Sequence, residues 1–318
     1  MALFAFVSGY FFKDRKLIDF LKVKFRRLII PYFIWNFIYG ITITILKYLN
    51  IINYGENISI FNLFIAPFYG NGNHFIFNLS AWFVITIFFV QLIYLLITKI
   101  CKKFNIKYFN VFLLIISIII ASIELKYLKK FSNINNLYLI TRICFLFPFY
   151  IVGQIYKQYE KNDNKKNRLY FLLMIIIIQC ILICNFNICY ELNTLVFYNN
   201  YIIYFIGSMM GILFYLIISK ILSRYIKENT IIYNIGANTS LIMYHHLFIF
   251  FIINTFVFVL NKYIGFFDKF DLISYKDSCW YLYSREAVII YLLLALYVPL
   301  KIKECFKKFT NKIWKIKE

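Results

Sequence analysis

The chain is poor in charge, above all in acidic residues, and in the residues that interrupt helices. Only 15% of its 318 residues are charged, 14 of them Asp or Glu, and there are 10 Gly and 4 Pro. Hydrophobic residues make up 62%, and the mean hydropathy is +0.72. A soluble core of this size does not bury that much apolar surface, so the composition argues against a soluble globular protein and predicts that lipid covers the excess.

The alternation of apolar and polar residues that is typical of membrane β-barrels is also absent. An unpaired backbone amide is costly in hydrocarbon, so long apolar segments must form helices. We therefore predict an all-α fold, a polytopic integral membrane helix bundle. The chain has no internal repeat and no linker rich in Pro, Gly or Ser, and we expect residues 1–318 to form a single membrane domain.

The cysteine pattern gives no sign of a metal site or of a disulfide framework. The cysteines are odd in number, contain no C-x-x-C pair and lie mostly in apolar runs, at Cys101, Cys144, Cys180, Cys184, Cys189, Cys279 and Cys305. Such cysteines behave as small hydrophobic residues. We therefore expect no metal.

Eight apolar runs are long enough to cross a hydrocarbon core of about 30 Å at about 1.5 Å per residue. They span residues 28–46, 79–98, 108–123, 138–156, 169–186, 200–222, 241–260 and 286–306. Residues 1–12 are also apolar but too short to cross unaided, and counting them gives about nine transmembrane segments. A cleaved signal peptide is the alternative for this stretch, which lacks a positively charged start and a small-residue cleavage site.

The basic residues are distributed unequally between the two sides that these segments define. Of the 35 Lys and Arg, 26 fall in one set of alternate loops and 8 in the other, with Arg142 inside a helix. Positive residues accumulate in cytoplasmic loops, so the pattern predicts an external N-terminus and a cytoplasmic C-terminus. The net charge of +21 could otherwise indicate nucleic acid binding, but no RNA- or DNA-binding module is present.

Two of the three histidines are adjacent, at His245 and His246, near the predicted cytoplasmic end of the run 241–260. A histidine can act as general base toward a hydroxyl because its pKa lies near working pH. Successive helical residues point about 100° apart, so only one of the pair can face a given site. If the helix already runs through Asn238, that residue shares a stripe with His245 and favours it. The alternative is a packing pair without chemistry.

A basic loop that ends at Arg26 and Arg27 precedes a helix that we expect Pro31 to open. Paired guanidinium groups bind phosphates bidentately, which would suit a coenzyme A thioester. The alternative is that these charges only set the topology.

Two further residues on the external side are candidates for substrate binding. Arg142 is the fifth residue of its helix, about 6 Å deep, where it can snorkel to the interface or hold a glycan or an anionic intermediate. His74 ends the sequence G-N-G-N-H, and it is either a site residue or a solvated loop histidine.

Taken in order, these blocks resemble the acyltransferase family 3 membrane proteins, in particular the fucose 4-O-acetylase-like branch. The matching pieces are F-A-F-V-S-G-Y-F-F at residues 4–12, K-F-R-R-L-I-I-P-Y at 24–32, A-W-F at 81–83, F-Y-I-V-G at 149–153 and the block 238–254. The resemblance implies a bundle of about ten transmembrane helices in the bacterial inner (cytoplasmic) membrane. It also implies transfer of an acyl group, usually acetyl from cytosolic acetyl-CoA, to a hydroxyl of an envelope carbohydrate.

The resemblance also implies roles for particular residues. Arg26 and Arg27 fall on the donor side, His246 takes the place of the family's histidine with Asn238 near the reaction path, and Trp82 is an anchor on the substrate side. Family members carry another histidine in a helix ahead of the first block. This chain begins inside that block, which predicts an N-terminally truncated domain with little activity. A polysaccharide flippase or polymerase-type transport protein is the alternative function.

Overall fold

The structure is a computed structural model that describes residues 1–68, 75–104, 108–130, 138–159, 168–186, 188–228, 230–265, 272–278 and 284–315. Within these ranges the chain forms twelve α-helices, short π- and 3₁₀-helical segments and one small β-hairpin. The predicted all-α class is confirmed, and every apolar run that was expected to cross the membrane is helical.

The helices follow the apolar runs closely because each run can satisfy its backbone only internally. In the first half they are α1 (Ala2–Tyr10), α2 (Leu17–Lys24), α3 (Ile30–Tyr48), α4 (Trp82–Lys103), α5 (Phe109–Lys130) and α6 (Tyr138–Tyr159). In the second half they are α7 (Arg168–Asn185), α8 (Tyr201–Leu222), α9 (Ile231–Ala237), α10 (Thr239–Ile264), α11 (Leu272–Asp277) and α12 (Ser284–Lys315).

Six helical segments of the described chain are long and apolar enough to cross a membrane. They are Leu17–Tyr48, Ile76–Lys103, Phe109–Tyr127, Tyr138–Tyr159, Tyr201–Leu222 and Thr239–Ile264. The apolar part of α7 is shorter, at Leu172–Asn185, and α12 is bent near its start and contains Pro299. The chain is therefore a multi-pass membrane protein.

The first membrane segment begins earlier than the sequence predicts. We expected Pro31 to open a helix after a basic loop, but α2 and α3 are joined by a π-helical turn, Phe25–Ile29, which contains Arg26 and Arg27. Proline lacks an amide hydrogen and pushes away the carbonyl of the preceding turn, and a π-helical turn absorbs both effects without ending the helix. The loop assignment for the two arginines is therefore wrong.

A two-stranded antiparallel hairpin interrupts the helical pattern between α7 and α8. Strand β1 (Tyr190–Glu191) pairs with β2 (Val196–Phe197), and Tyr190 lies opposite Phe197. The hairpin was not expected from the sequence. It is short enough to leave the all-α class unchanged.

Two compact units that alternate along the chain make up the structure. Unit 1 consists of Met1–Ile30, Pro67–Asn71 and Trp82–Tyr225, and unit 2 of Pro31–Ala66, Gly72–Ala81 and Ile226–Glu318. Neither unit is a continuous segment of the chain.

Unit 1 is built around the contact between α1 and α6. Gly9 on α1 and Gly153 on α6 let the two backbones touch: a Cβ atom on Gly9 would meet the carbonyl oxygen of Tyr150, and one on Gly153 that of Phe6. Small residues allow such an approach between membrane helices. This crossing brings the backbone of Tyr150, a fully buried residue, against α1.

In unit 2, α10 packs against α12 and against the 3₁₀-helical segment Ile76–Ala81, which also contacts α3. The ring centroid of Phe77 lies 4.9 Å from that of Phe251 and 5.4 Å from that of Phe248. The ring of Tyr39, on α3, also contacts the Phe77 ring. This aromatic cluster supports the two adjacent histidines on α10.

Candidate functional site

A cavity of about 330 Å³ opens in unit 1, and we call it the basic cavity. It is lined by Ser8, Phe11, Phe12, Lys13, Arg15, Phe20, Val23, Lys24, Arg27, Leu28, Gln91 and Tyr150. Four of these side chains are cationic and none is acidic. Such a surface attracts an anionic ligand.

The cations occupy the more exposed part of the basic cavity. Lys13, Arg15 and Arg27 are exposed and Lys24 is half-buried, so these side chains form its mouth. Arg27 is a lining residue whereas Arg26, one position away and also exposed, is not. Of the two arginines predicted for the donor side, Arg27 lies at this cavity and Arg26 does not.

The inner part of the same cavity is buried and carries polar atoms without partners. Gln91 donates from Nε2 to the Ser8 hydroxyl, while its Oε1 has no hydrogen-bond partner among the described residues. The hydroxyl of Tyr150, a fully buried residue, also lacks one. Buried polar groups are almost always paired, so these two atoms mark a place where a ligand can bind.

A second cavity in unit 1, of about 750 Å³, lies among the ends of α1, α4, α5 and α6. Its lining includes Tyr94, Thr98, Asn110 and Gln154, and the Tyr94 hydroxyl donates to Asn110 Oδ1 at 2.8 Å. Asp14 and Lys102, also lining residues, form an ion pair. Most of its polar side chains already have partners within the protein.

In unit 2, His245 lies among aromatic rings and makes a polar contact with Tyr39. Its Nδ1 lies 2.6 Å from the hydroxyl of Tyr39, and its ring meets that of Trp35 edge-on at 4.2 Å between centroids. Tyr39 is 2% exposed. These contacts fix the orientation of the His245 ring.

His246 is oriented by the backbone of its own helix. Its Nδ1 lies 2.9 Å from the carbonyl oxygen of Met243 and 3.2 Å from that of Ile242. A carbonyl can only accept, so Nδ1 carries the hydrogen and the neutral ring has its lone pair on Nε2. The hydroxyl of Ser80 donates to the same Met243 oxygen at 2.9 Å. Nε2 is therefore the ring nitrogen of His246 that can accept a proton.

A pair of buried amides accompanies the histidines in unit 2. Asn78 donates to Asn36 Oδ1 at 2.6 Å, and both residues are 3% exposed. The other polar atom of the Asn78 amide, Oδ1, has no partner in the described part of the chain. Polar groups at membrane depth are costly, which makes this pair a candidate for a functional role.

Asn238 does not continue the helix of the histidines. It has φ −117° and ψ 22°, and α9 ends there before α10 begins. Its Nδ2 donates to the Asn234 carbonyl at 2.7 Å and its Oδ1 accepts from Lys303 at 2.5 Å. The stripe that would have favoured His245 needs a continuous helix, so that argument does not hold.

Arg142 is buried, with 2% of its surface exposed, so the expectation that it snorkels to the interface is wrong. Its guanidinium donates to the carbonyl oxygens of Leu192 at 2.9 Å and Asn193 at 2.6 Å. It also lies over the ring of Trp82, 4.4 Å from the centroid. The structure brings these two predicted residues together, and the hairpin backbone satisfies the charge that would otherwise seek water.

The remaining predicted residue, His74, lies outside the described residues. No group of three or more His, Cys, Asp or Glu side chains in the described ranges could hold a metal ion. Sequence reasoning missed Gln91, Tyr150, Tyr39 and the Asn36–Asn78 pair. For Gln91, Asn36 and Asn78 there was a signal: an amide inside or beside a long apolar run.

The chain matches the family model of the acyltransferase domain, acyltransferase family 3, over residues 1–300. No curated protein and no solved structure shows significant similarity to it. The family match includes both units, and it agrees with the multi-pass helical fold. The chain therefore belongs to acyltransferase family 3 and is a membrane acyltransferase.

Proposed function

We propose that the chain transfers an acetyl group from acetyl-CoA to a hydroxyl of a cell-surface glycan at the bacterial cytoplasmic membrane. The observation that carries the proposal is the basic cavity, where four cations surround an entrance and uncharged polar atoms line the interior. Acetyl-CoA has the same order of groups, phosphates at one end and an uncharged arm with a thioester at the other.

The cations supply what phosphate binding requires. A guanidinium donates two parallel hydrogen bonds to phosphate oxygens, and an ammonium adds a point charge. Arg15 and Arg27 provide the first kind of contact, and Lys13 and Lys24 the second. Among the described residues, no acidic side chain lines the cavity to compete with the phosphates.

His246 is our choice for the general base. Its Nδ1 hydrogen is held by backbone carbonyls, so Nε2 is the nitrogen that can accept a proton. In acyl transfer a base takes the proton of the acceptor hydroxyl, and the acceptor oxygen bonds to the thioester carbonyl carbon; Nε2 of His246 is the nitrogen that we assign to the proton. The C–S bond then breaks and the thiolate of CoA leaves, to be protonated in its turn.

Arg26 and Arg27 provide a matched test of the donor site. A ligand that binds only the folded state raises the melting temperature, so acetyl-CoA should stabilise the purified protein in detergent. Arg27→Ala should weaken acetyl-CoA binding about tenfold or more, as expected for a lost charge-assisted hydrogen bond. Arg26→Ala removes the same charge from outside the lining and should cost only about twofold.

The results separate the possible functions. Equal losses in the two variants would show that the cavity does not select the phosphates. A wild-type protein that acetyl-CoA does not stabilise would overturn the donor assignment and favour a transport protein without an acyl donor.

The assignment of a glycan as acceptor rests on the family resemblance. The O-acetyl content of surface polysaccharide is therefore the quantity to measure. We expect cells that lack the protein to carry fewer O-acetyl groups on one envelope glycan, as read by mass spectrometry. Restoring the wild-type gene should restore them. An unchanged acetylation pattern in every envelope glycan would reject the proposed acceptor class.

The excess of Lys and Arg on one side supports an orientation with the C-terminus in the cytoplasm. Cysteine labelling can test this orientation. Ser223, in the exposed turn after α8, falls on the side that the basic residues assign to the cytoplasm. In a chain whose seven native cysteines are replaced, Ser223→Cys should resist an impermeant thiol reagent in intact cells and react after lysis. Labelling from outside would reverse the topology.

A further inference from the structure

We infer that the inner end of the basic cavity binds the thioester of the acyl donor, with the Tyr150 hydroxyl donating a hydrogen bond to the thioester carbonyl oxygen. In the same bound donor, an amide N–H of the uncharged arm donates a hydrogen bond to Gln91 Oε1. The inference rests on the proposed function, since it assigns the part of acetyl-CoA that the cations do not bind.

The observation is a pair of buried polar atoms without partners in one cavity. Tyr150 is 0% exposed and Gln91 4% exposed, both line the basic cavity, and the Tyr150 hydroxyl and Gln91 Oε1 have no hydrogen-bond partner in the described ranges. Leaving such groups unpaired destabilises a protein. A ligand that pairs both of them removes that penalty on binding.

The two atoms differ in what they can bind. The amide nitrogen of Gln91 is engaged with Ser8, so Oε1 is left as an acceptor. The phenol of Tyr150 can donate, and it is held by the close contact of its backbone with Gly9. A ligand that pairs with both atoms must offer one acceptor and one donor. A thioester carbonyl and a neighbouring secondary amide satisfy that requirement, whereas a phosphate offers acceptors only.

The position in the cavity agrees with this assignment. Lys13, Arg15 and Arg27 are among the exposed lining residues and Lys24 is half-buried, whereas Gln91 and Tyr150 are buried. A donor that places its phosphates among the cations directs its uncharged end inward, away from water. A carbonyl held by a preorganised donor in such a place is activated toward attack.

In the transfer step the phenol keeps its own O–H bond. The acceptor oxygen forms a bond to the carbonyl carbon and loses its proton to a base, and negative charge gathers on the carbonyl oxygen facing Tyr150. The C–S bond then breaks, its electron pair goes to sulfur, and the thiolate takes up a proton. Tyr150 contributes a hydrogen bond that strengthens as the charge develops.

Comparison of acetyl-CoA with CoA tests the inference, because only acetyl-CoA has the thioester carbonyl that Tyr150 would bind. We expect the wild-type protein in detergent to bind acetyl-CoA about fivefold more tightly than CoA, as one hydrogen bond allows. Tyr150→Phe should bind the two ligands with equal affinity and should keep the affinity of the wild type for CoA.

The matched control is Tyr201→Phe, also a fully buried tyrosine of unit 1, whose hydroxyl donates to the Phe145 carbonyl at 2.9 Å. This variant should lower the melting temperature, since it removes a buried hydrogen bond, but should still discriminate between acetyl-CoA and CoA. Tyr150→Phe should melt at or above the wild-type temperature without ligand, because its hydroxyl has no partner to lose.

The outcomes are distinct. If the wild type binds both ligands equally, or if Tyr150→Phe still prefers acetyl-CoA, the inference is wrong while the donor site stands. If neither acetyl-CoA nor CoA binds to the wild type, the proposed function itself fails.

Discussion

Gly9 and Gly153 face each other where α1 crosses α6, and the absence of side chains brings the two backbones into contact. Gln154, the neighbour of Gly153, donates to the Gly9 carbonyl across the same crossing. Tyr150 lies one turn before Gly153, so the crossing also determines where its phenol points. Packing between α1 and α6 thus positions Tyr150, which lines the basic cavity.

Gly153→Ala should destabilise the protein. The added methyl group would collide with the backbone carbonyl of Phe6, which cannot move aside as a flexible side chain could. Overpacking of this kind costs about 1–3 kcal/mol, so the melting temperature in detergent should fall. The matched control is Gly211→Ala on α8, where the new methyl group would have no heavy atom of the described residues within 4 Å other than its chain neighbours and the nearby backbone of its own helix.

The control should be neutral or slightly stabilising, because alanine favours a helix more than glycine does. Equal melting temperatures for the two variants would contradict the close crossing.

The helices were predictable because their cause is local. A run such as 138–156 must be helical in lipid whatever its neighbours are, and α6 begins at the residue that the sequence indicated. Pro31 shows the limit of this reasoning. A proline usually opens a helix, but here a π-helical turn carries the helix through it, and the arginines before it became helical as well.

The candidate site was predictable only where its residues are rare. The chain has three histidines, and the adjacent pair His245 and His246 is easily recognised in an apolar segment. Tyr150, in contrast, is one of 28 tyrosines and has no distinctive sequence context. Gln91 was visible as an amide inside an apolar run, but its partner Ser8 is 83 positions away. Contacts at that separation depend on helix packing, which composition and periodicity do not encode.

Arg142 should be a structural residue of the hairpin that follows α7. Arg142→Lys keeps the charge but cannot donate in a fixed fork to the carbonyls of Leu192 and Asn193. At least one carbonyl is then left unpaired in a buried setting, and we expect a loss of about 1–3 kcal/mol in the free energy of unfolding. Thermal melting in detergent measures it.

Lys126, an exposed cation on α5, provides the comparison for Arg142. Lys126→Ala should change stability by less than about 0.5 kcal/mol. A similar small change in Arg142→Lys would show that the guanidinium is not needed to hold the hairpin, and a substrate role for Arg142 would gain support.

His246→Asn should distinguish a role of His246 as general base from a purely structural role. The amide nitrogen of asparagine can take the place of Nδ1 and keep the hydrogen bond to the Met243 carbonyl, but asparagine has no group that accepts a proton near neutral pH. We expect the rate of acetyl transfer to fall about 10²- to 10⁴-fold, with melting temperature and acetyl-CoA affinity unchanged. Release of the CoA thiol with and without acceptor measures the rate.

His245→Asn is the paired variant one position away. It loses the edge-on contact with the Trp35 ring and alters the contact with Tyr39, so it should lower the melting temperature while its transfer rate stays within about tenfold of the wild type. The opposite pattern, with transfer lost in His245→Asn and kept in His246→Asn, would move the base to His245. Full transfer in both variants would remove the histidines from the reaction, because neither side chain would then be needed to accept the proton.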